Sequence, residues 1–479
     1  MNLQVAYGDS TADLPDFPDG LEWVNAREPS RLHALRGRVV LVWFWSYDCV
    51  NCISMLAGLR QLENKYRGRL EVRSLHTPKY PAQQPNEAVL KAANRNQMRH
   101  PVGNDAQWRA WQQYGIDAWP TAVLIDAEGR PVGRFVGEGA LRRIDDTIAA
   151  LLEKTATRQA QDDAREVEAF RSEPRLPLRF PAHALATADK LYVSDTGHHR
   201  ILECTHSGRI LRQFGCGNAG YWDGGSADVG FNAPQGLAIA ADALYVADTG
   251  NHCVRRIQLL SGEVETLLGS GACGYESPHP IGKPVSVSAP TALAVADDRV
   301  YIALAGQHQI WCLDLRTRSL EKLAGNGRCG VRDGGGSKAR LAQPSALAAI
   351  PGALLIADAA GNAIRLLRLS DLTLGTLAGG APYDFGNLDG PGAQARFAHP
   401  CGIAVDGMTA YVADSFNNRI CAVNVHTGET TTLPLPWRLH EPQGLSFGAG
   451  ALWIADRNAH EILRVNAMRG EVERIAVGE

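Results

Sequence analysis

The sequence predicts an α/β sandwich followed by an all-β ring of six repeated four-stranded sheets. Three observations carry that prediction. A continuous apolar run at 39–45 (VVLVWFW) leads through a short turn holding two cysteines into a segment with helical spacing. Beyond Phe180 one pattern, written FNAPQGLAIAADALYVADTGNHCVRRI at 231–257, recurs from 287, 341, 397 and 439, with an irregular first copy from 180. Glycine is over-used, 49 residues against 25 prolines in a chain of 479, as a protein of many tight turns requires.

Composition excludes several classes. Apolar residues make up 45% and charged residues 21%, the proportions of an ordinary globular chain. Lys plus Arg (48) nearly balances Asp plus Glu (51), so no global field favours nucleic acid or an anionic membrane as partner. No window nears the ~20 apolar residues of a membrane-spanning helix, and the first residues show no basic start followed by an apolar core. Of ten cysteines only Cys49 and Cys52 have a spacing that carries chemistry, so the expected setting is reducing and cytoplasmic.

The first domain is expected over 1–152, with its core at 39–152. Residues 1–37 read as a polar lead-in with Pro15, Pro18 and Pro29. The run at 39–45 is a buried strand. Met55, Leu56, Leu59, Leu62 and Tyr66 fall on one face of a helix over 53–66. A strand follows at 70–75, then helices at 88–95 and 105–114. Strands 121–126 and 133–136 form a hairpin around a turn at 126–129, and an amphipathic helix at 141–152 closes the domain. From 153 to 173 the sequence is polar and charged, which suggests a helical linker extending to 179.

Each later repeat holds four short apolar runs; the second has GLAIA, ALYVA, CVRRI and VETLL. Four strands with a period of ~40–55 residues make one propeller blade, and six blades fall in the usual range of ~4–8. An isolated blade cannot bury both faces, so the blades must stack into a ring. The patterns P-x-G-[LI]-A and Y-V-A-D-x-x-N-x-x-I resemble NHL repeats, which implies a six-bladed NHL-type β-propeller over 180–479. Blade three departs from the pattern, with Leu304 where the others carry Asp195, Asp248, Asp358, Asp414 and Asp456. Those aspartates read as caps of the turns they begin, in preference to calcium ligands. Long glycine-rich loops precede blades two to five and are expected, with the P-x-G turns, on one rim. The middle residues of those turns, His183, Gln235, Thr291, Ser345, Cys401 and Gln443, are expected near the channel mouth. There they would form either a partner-binding rim or ordinary strand-end polarity.

The chemistry lies in Cys49-Val50-Asn51-Cys52, after a buried strand and at a helix start. Unpaired N–H groups and the positive end of the helix dipole stabilise a thiolate there. Cys52 follows within reach of a disulfide, so Cys49 reads as the attacking thiol and Cys52 as the resolving one. No second C-x-x-C or C-x-x-H completes a zinc site, and no metal or cofactor is expected. VWFWSYDCVNC and AWPT (118–121) together resemble thioredoxin-like oxidoreductases, and the segment after Leu75 resembles the longer connection of the redoxin branch. The resemblance implies a cis peptide at Pro120 beside the dithiol, with Trp119 and Pro120 bordering a substrate groove. The chain departs by placing Val50-Asn51 between the cysteines and Trp43 at the position of the buried acid. Tyr47, Asp48 and His76 are then the groups near enough in sequence to act on the Cys52 proton. Two functions follow: a thiol–disulfide oxidoreductase whose propeller selects protein substrates, or a non-catalytic interaction scaffold with a degenerate thioredoxin-like domain.

Overall fold

Seven consecutive buried residues make Val39–Trp45 (β2) a strand covered on both faces, at the middle of a six-stranded sheet. The computed structural model describes residues 14–26, 31–154, 176–278 and 285–478. They divide into two units, Met1–Pro174 and Arg175–Glu479. In the first, β1 (Glu22–Trp23), β2, α1 (Val50–Lys65), β3 (Leu70–His76) and α2 (Asn86–Arg95) are followed by β4 (Val102–Asn104) and α3 (Arg109–Gln113). Strands β5 (Thr121–Ile125) and β6 (Pro131–Val136) and helix α4 (Leu141–Lys154) complete it. The sheet order is β1-β4-β3-β2-β5-β6, with β4, β3 and β2 parallel and the rest antiparallel. This is a thioredoxin-like fold. Val40, Val42 and Phe44 face Trp111, Tyr114 and Ile116 on one side. By alternation Leu41, Trp43 and Trp45 face the other side, where α4 packs on β2.

Two expectations for this unit need correction, and one strand was not foreseen. The lead-in is only partly solvent-facing: Phe17, Leu32 and Leu35 join the core, and Glu22–Trp23 pairs with β4 as an edge strand. Strand β4, Val-Gly-Asn, is too short to show an alternating pattern. The helix predicted over 105–114 begins only at Arg109, because the Asp105 carboxylate reaches forward to accept the N–H groups of Ala110 (3.0 Å) and Trp111 (2.9 Å). The linker expected over 153–179 falls mainly outside the described residues.

The second unit is a six-bladed propeller, each blade an antiparallel sheet of four main strands. Its inner strands are His183–Ala186, Pro234–Ala240, Pro290–Ala296, Pro344–Ile350, Pro400–Asp406 and Pro442–Gly448. One repeated bond joins the blades. His199, His252, His308, Asn362, Asn418 and His460 all adopt φ between 51° and 60°, a left-handed conformation that Asn and His tolerate better than most residues. Each accepts an N–H from just ahead of the next inner strand: Ala233, Ala289, Gln343, His399, Glu441 and, closing the ring, Phe180, at 2.8–3.1 Å. The four histidines accept through Nδ1.

The recurrent aspartates do more than cap their own turns. Oδ1 of Asp195, Asp248, Asp358, Asp414 and Asp456 accepts the N–H sixteen residues earlier, at 2.6–2.8 Å. In blades one, two, four and five an arginine (Arg200, Arg255, Arg365, Arg419) neutralises the buried charge. Blade six puts Glu461 in the slot that Arg200 and Arg419 occupy. In blade three Gln307 Oε1 takes the Ser288 N–H at 3.0 Å, so the bond survives the loss of the carboxylate at Leu304.

The long loops depart from expectation. They leave and return at the P-x-G rim, but their tips run down the blade flank. Gly224 pairs with Val264, Gly334 with Leu374 and Gly390 with Thr430, where the outer strands begin at the opposite rim. Asp223, Asp333 and Asp389 pin them there by bonds to Arg255, Arg365 and Arg419 and to the threonine 43 residues later. In blade one the same edge is filled by the C-terminal segment: Ile210 N–H donates to Gly478 O (2.8 Å) and Gly478 N–H to Gly208 O (3.0 Å).

The histidine latches make the propeller acid-sensitive. Burial lowers the pKa of His252 and His308 to about 4, against 6.5 when exposed. The folded state therefore binds fewer protons than the unfolded state between those values, and stability falls as pH drops from 6.5 to 4. His252→Asn together with His308→Asn, the residue blades four and five use, should flatten that slope. The difference should be on the order of 1–3 kcal/mol per site at pH 4. Urea unfolding of both proteins at pH 4, 5.5 and 7 measures it, and parallel pH curves would disprove the role.

Candidate active site

Strand β2 ends at Trp45, and the turn Ser46-Tyr47-Asp48 delivers Cys49 to the start of α1. Cys49 N–H donates to Ser46 O (3.1 Å), and Cys49 O accepts the first helical bond from Ile53 (3.1 Å). Cys49 is the N-cap residue, with extended backbone, and its Sγ accepts the Cys52 N–H at 3.3 Å. A sulfur thus takes the place of the oxygen that Ser, Thr or Asp offers at this position. Both cysteines are thiols. Cys49 keeps 8% of its surface exposed and Cys52 none. Burial above all, then the Cys49 sulfur and the Asp48 charge, pushes the Cys52 thiol well above its ordinary range. Access and ionisation therefore separate the two thiols into an outer and an inner one.

The Trp119–Pro120 bond is cis. Phe44 pairs with Thr121 in the antiparallel ladder, so Pro120 lies one step further, beside the end of β2. The half-buried Trp119 packs on Trp111 at 4.5 Å and Trp108 at 5.4 Å. Trp43, at the position of the usual acid, stacks on Trp45 at 5.4 Å and offers the dithiol no carboxylate. His76 is fully buried, stacked on the Tyr47 ring at 5.1 Å. Burial lowers its pKa to about 4 despite the nearby Asp48 charge.

One residue escaped the sequence reading. Gln83 closes the short turn Pro81–Gln83 and is fully buried. Its Oε1 accepts the N–H groups of Lys79 (2.8 Å) and Tyr80 (3.0 Å), and its Nε2 donates to Asp48 Oδ1 (2.8 Å) and Ser46 Oγ (3.2 Å). Ser46 Oγ–H also donates to Asp48 Oδ1. The connection after β3 is thereby tied to the turn carrying the cysteines. A glutamine in a Pro- and Gln-rich stretch shows no pattern that would betray this.

In the propeller, His183, Gln235, Thr291, Ser345, Cys401 and Gln443 do line a common space, but its volume is only about 30 Å³, room for a water or two. Several of these groups serve the ring itself. His183 Nδ1 accepts the Leu237 N–H (3.3 Å) and its Nε2–H donates to Leu445 O (3.1 Å), joining blades six, one and two as a neutral ring. Thr291 and Ser345 donate to Pro344 O and Pro400 O of the next blade. Gln443 Nε2 reaches Gln235 Oε1 at 3.4 Å.

Fold and dithiol together define a thioredoxin-like domain joined to an NHL propeller. The Thioredoxin-like family model matches residues 37–131 and the NHL repeat model residues 231–257. The chain is 33% identical to human NHL repeat-containing protein 2, over 94% of its own length and 69% of that protein, and it belongs to that family. It is also 33% identical to the protein SUPPRESSOR OF QUENCHING 1, chloroplastic, of Arabidopsis thaliana, over 96% of this chain and 47% of that one. The thiol-disulfide oxidoreductase ResA of Bacillus anthracis is 27% identical over 24% of this chain and 64% of its own.

The inequality of the two thiols is directly measurable. Iodoacetamide at pH 7 should label Cys49 and leave Cys52 untouched. In a Cys49→Ser protein, Cys52 labelling should rise about tenfold per pH unit up to pH 9 and beyond. Peptide mapping by mass spectrometry that found both cysteines labelled equally at pH 7 would contradict the assignment.

Proposed function

We propose that this protein is a thiol–disulfide oxidoreductase whose propeller binds the protein that carries or receives the disulfide. The observation behind the reading is the dithiol itself: Cys49 caps α1 through its sulfur, and Cys52 lies buried one turn below; the cis Trp119–Pro120 bond stands beside the end of β2, the strand that leads into the cysteine turn. The named activity of ResA, alike over the N-terminal unit, agrees with it. The Cys49 thiolate attacks one sulfur of a substrate disulfide, forming a mixed disulfide and releasing the other sulfur as a thiolate. Cys52 then loses its proton and attacks the Cys49 sulfur, and the second substrate thiolate leaves. Two electrons pass from the protein dithiol to the substrate, and the reverse sequence oxidises a substrate dithiol. Only Cys49 and Cys52 among the ten cysteines have a spacing that carries chemistry, which suits a reducing compartment, and the proposal includes a cytoplasmic setting.

A non-catalytic scaffold is the competing reading, favoured by Trp43 in the acid's place. Reductase activity separates the two. Cys49→Ser should abolish turnover of insulin disulfides by reductant, a loss of at least a hundredfold. Cys52→Ser should capture substrate as a mixed disulfide through Cys49, which mass spectrometry of the adduct would identify. Unchanged turnover in Cys49→Ser would leave only the scaffold.

A further inference from the structure

Helices α1 and α2 lie side by side and begin at one edge of the sheet. Strands β2, β3 and β4 are parallel, so their carboxyl ends share that edge, and α1 and α2 follow β2 and β3. Arg60 of α1 donates to Asn96 O at the end of α2 (2.8 Å), and Glu63 of α1 meets His100 Nδ1 just beyond it (2.9 Å). Packed helices run about 8–10 Å apart. Cys49, which caps α1, is therefore on the order of 10 Å from the first residues of α2, about three residues of extended chain at ~3.3 Å each.

A cavity of about 380 Å³ lies at that second helix start. The volume is within the range of ligand pockets, about 300–1,000 Å³, and the position, outside the carboxyl end of β4, is where α/β sheets receive ligands. Gln84, Asn86, Asn104 and Gln107 line it with amides, groups that both donate to and accept from a polypeptide backbone. Asn104 Nδ2 is already committed, to Gln84 O (2.8 Å) and Asn86 Oδ1 (2.6 Å). Gln84 also ties the cavity to the dithiol, because its neighbour Gln83 donates to Asp48 Oδ1, next to Cys49, at 2.8 Å. The far wall is formed by residues 18–22 of the lead-in. That segment is anchored by Arg109 on Asp19 O (3.3 Å), Gln113 on Asp16 O (2.8 Å) and Tyr114 on Pro15 O (2.8 Å).

The charges on the walls are not equally available. Asp105 spends its carboxylate on the N–H groups of Ala110 and Trp111, and Asp19 pairs with Arg31 at 2.7 Å. Arg109 is turned to the lead-in carbonyl. Glu22 is exposed and has no ion pair among the described residues. It stands directly opposite Asn104 in the β1–β4 ladder, so the two side chains share a face with Cβ atoms about 4.5–5.5 Å apart. Asn104 reaches Asn86 of α2 on that face, which sets the Glu22 carboxylate on the cavity wall.

We propose that this cavity is a substrate-recognition site that takes a basic residue of the substrate polypeptide about three residues from the reacting cysteine. Glu22 pairs with its charge and the amides hold its backbone. The inference rests on the oxidoreductase reading above and names the substrate class: a disulfide in an extended segment with a lysine or arginine close by.

The test uses mixed disulfides between 4-thiopyridine and short peptides. Each peptide has one cysteine and carries a lysine or a glutamate either one or three residues from it, on one side or the other. The Cys49 thiolate bonds to the peptide sulfur, the bond to the thiopyridine sulfur breaks, and thiopyridine leaves with an absorbance that reports the rate. Cys52 then displaces the peptide as its thiol and the protein dithiol becomes a disulfide. Stopped-flow rates on the full chain are corrected for the Cys49→Ser protein. They are divided by the rate on neutral 4,4′-dithiodipyridine, which is too small to span from Cys49 to the cavity. With the charge three residues away on one side, the lysine peptide should outrun the glutamate peptide about fivefold at low salt, the upper end for an exposed ion pair. With the charge one residue away the two should react alike. The preference should fade at about 1 M salt, where the Debye length is about 3 Å. Glu22→Lys should invert the ratio, and Gln107→Trp, which fills the cavity without changing its charge, should bring it near one. Equal rates for lysine and glutamate peptides, a preference equal at both distances, or one that survives Glu22→Lys would overturn the proposal. Release no faster from the parent than from Cys49→Ser, with the peptides and dithiodipyridine alike, would instead overturn the oxidoreductase reading.

Discussion

Each blade of the propeller hands one backbone N–H to a side chain of the blade before it, and the ring depends on that bond. The donor stands just ahead of an inner strand; at Ala289 and His399 the bond is buried, where an unpaired N–H costs about 1–3 kcal/mol. The acceptor must be short, polar and able to hold a left-handed backbone, which narrows the choice to Asn and His at all six positions from His199 to His460. The same requirement fixes where each inner strand begins, and hence how tightly six strands converge. The narrow space between His183 and Gln443 follows from it, since the blades are drawn together before any side chain there could bind a ligand.

A parallel solution operates in the thioredoxin-like unit. There the difficulty is a turn of three residues that must aim two cysteines, and the solution is a single saturated amide, Gln83, reaching in from another segment. Both units therefore place polar groups in dry surroundings and pair those that fix the cysteine turn and join the blades. Where one partner is lost, another is recruited from close by, as Gln307 is for the aspartate absent at Leu304.

Much of this was legible in the residues. The run at 39–45, the helix-start cysteines and the proline of Trp119–Pro120 each carry a local signal strong enough to place them. Six copies of one pattern specify six blades because each copy must bury the same faces. What could not be read depends on partners distant in sequence. Strand β4 is three residues whose pairing with β3 comes only from the assembled sheet. Asp105 looked like part of a helix because its cap bonds reach forward past Trp108. The long loops read as rim decoration because nothing in GYWDGG announces that Asp223 will find Arg255, 32 residues on. Trp43 was recognisable as a departure, yet Asp48, which precedes the first cysteine, acquires its setting from Gln83, 35 residues away.

The edge of blade one is completed by Gly478, while in blades two, four and five the same edge is covered by a loop that precedes the blade. During synthesis, those three blades are supplied with their covering strand in passing. Blade one, the first to be made, must wait with Gly208 and Ile210 unpartnered until residues 476–478 emerge about 270 residues later. Throughout that interval the nascent propeller presents an open sheet edge, the kind of edge that invites pairing with a foreign strand. The N-terminal unit, whose sheet is complete by Val136, needs no such wait. Its cysteines are therefore assembled on the growing chain well before the ring closes.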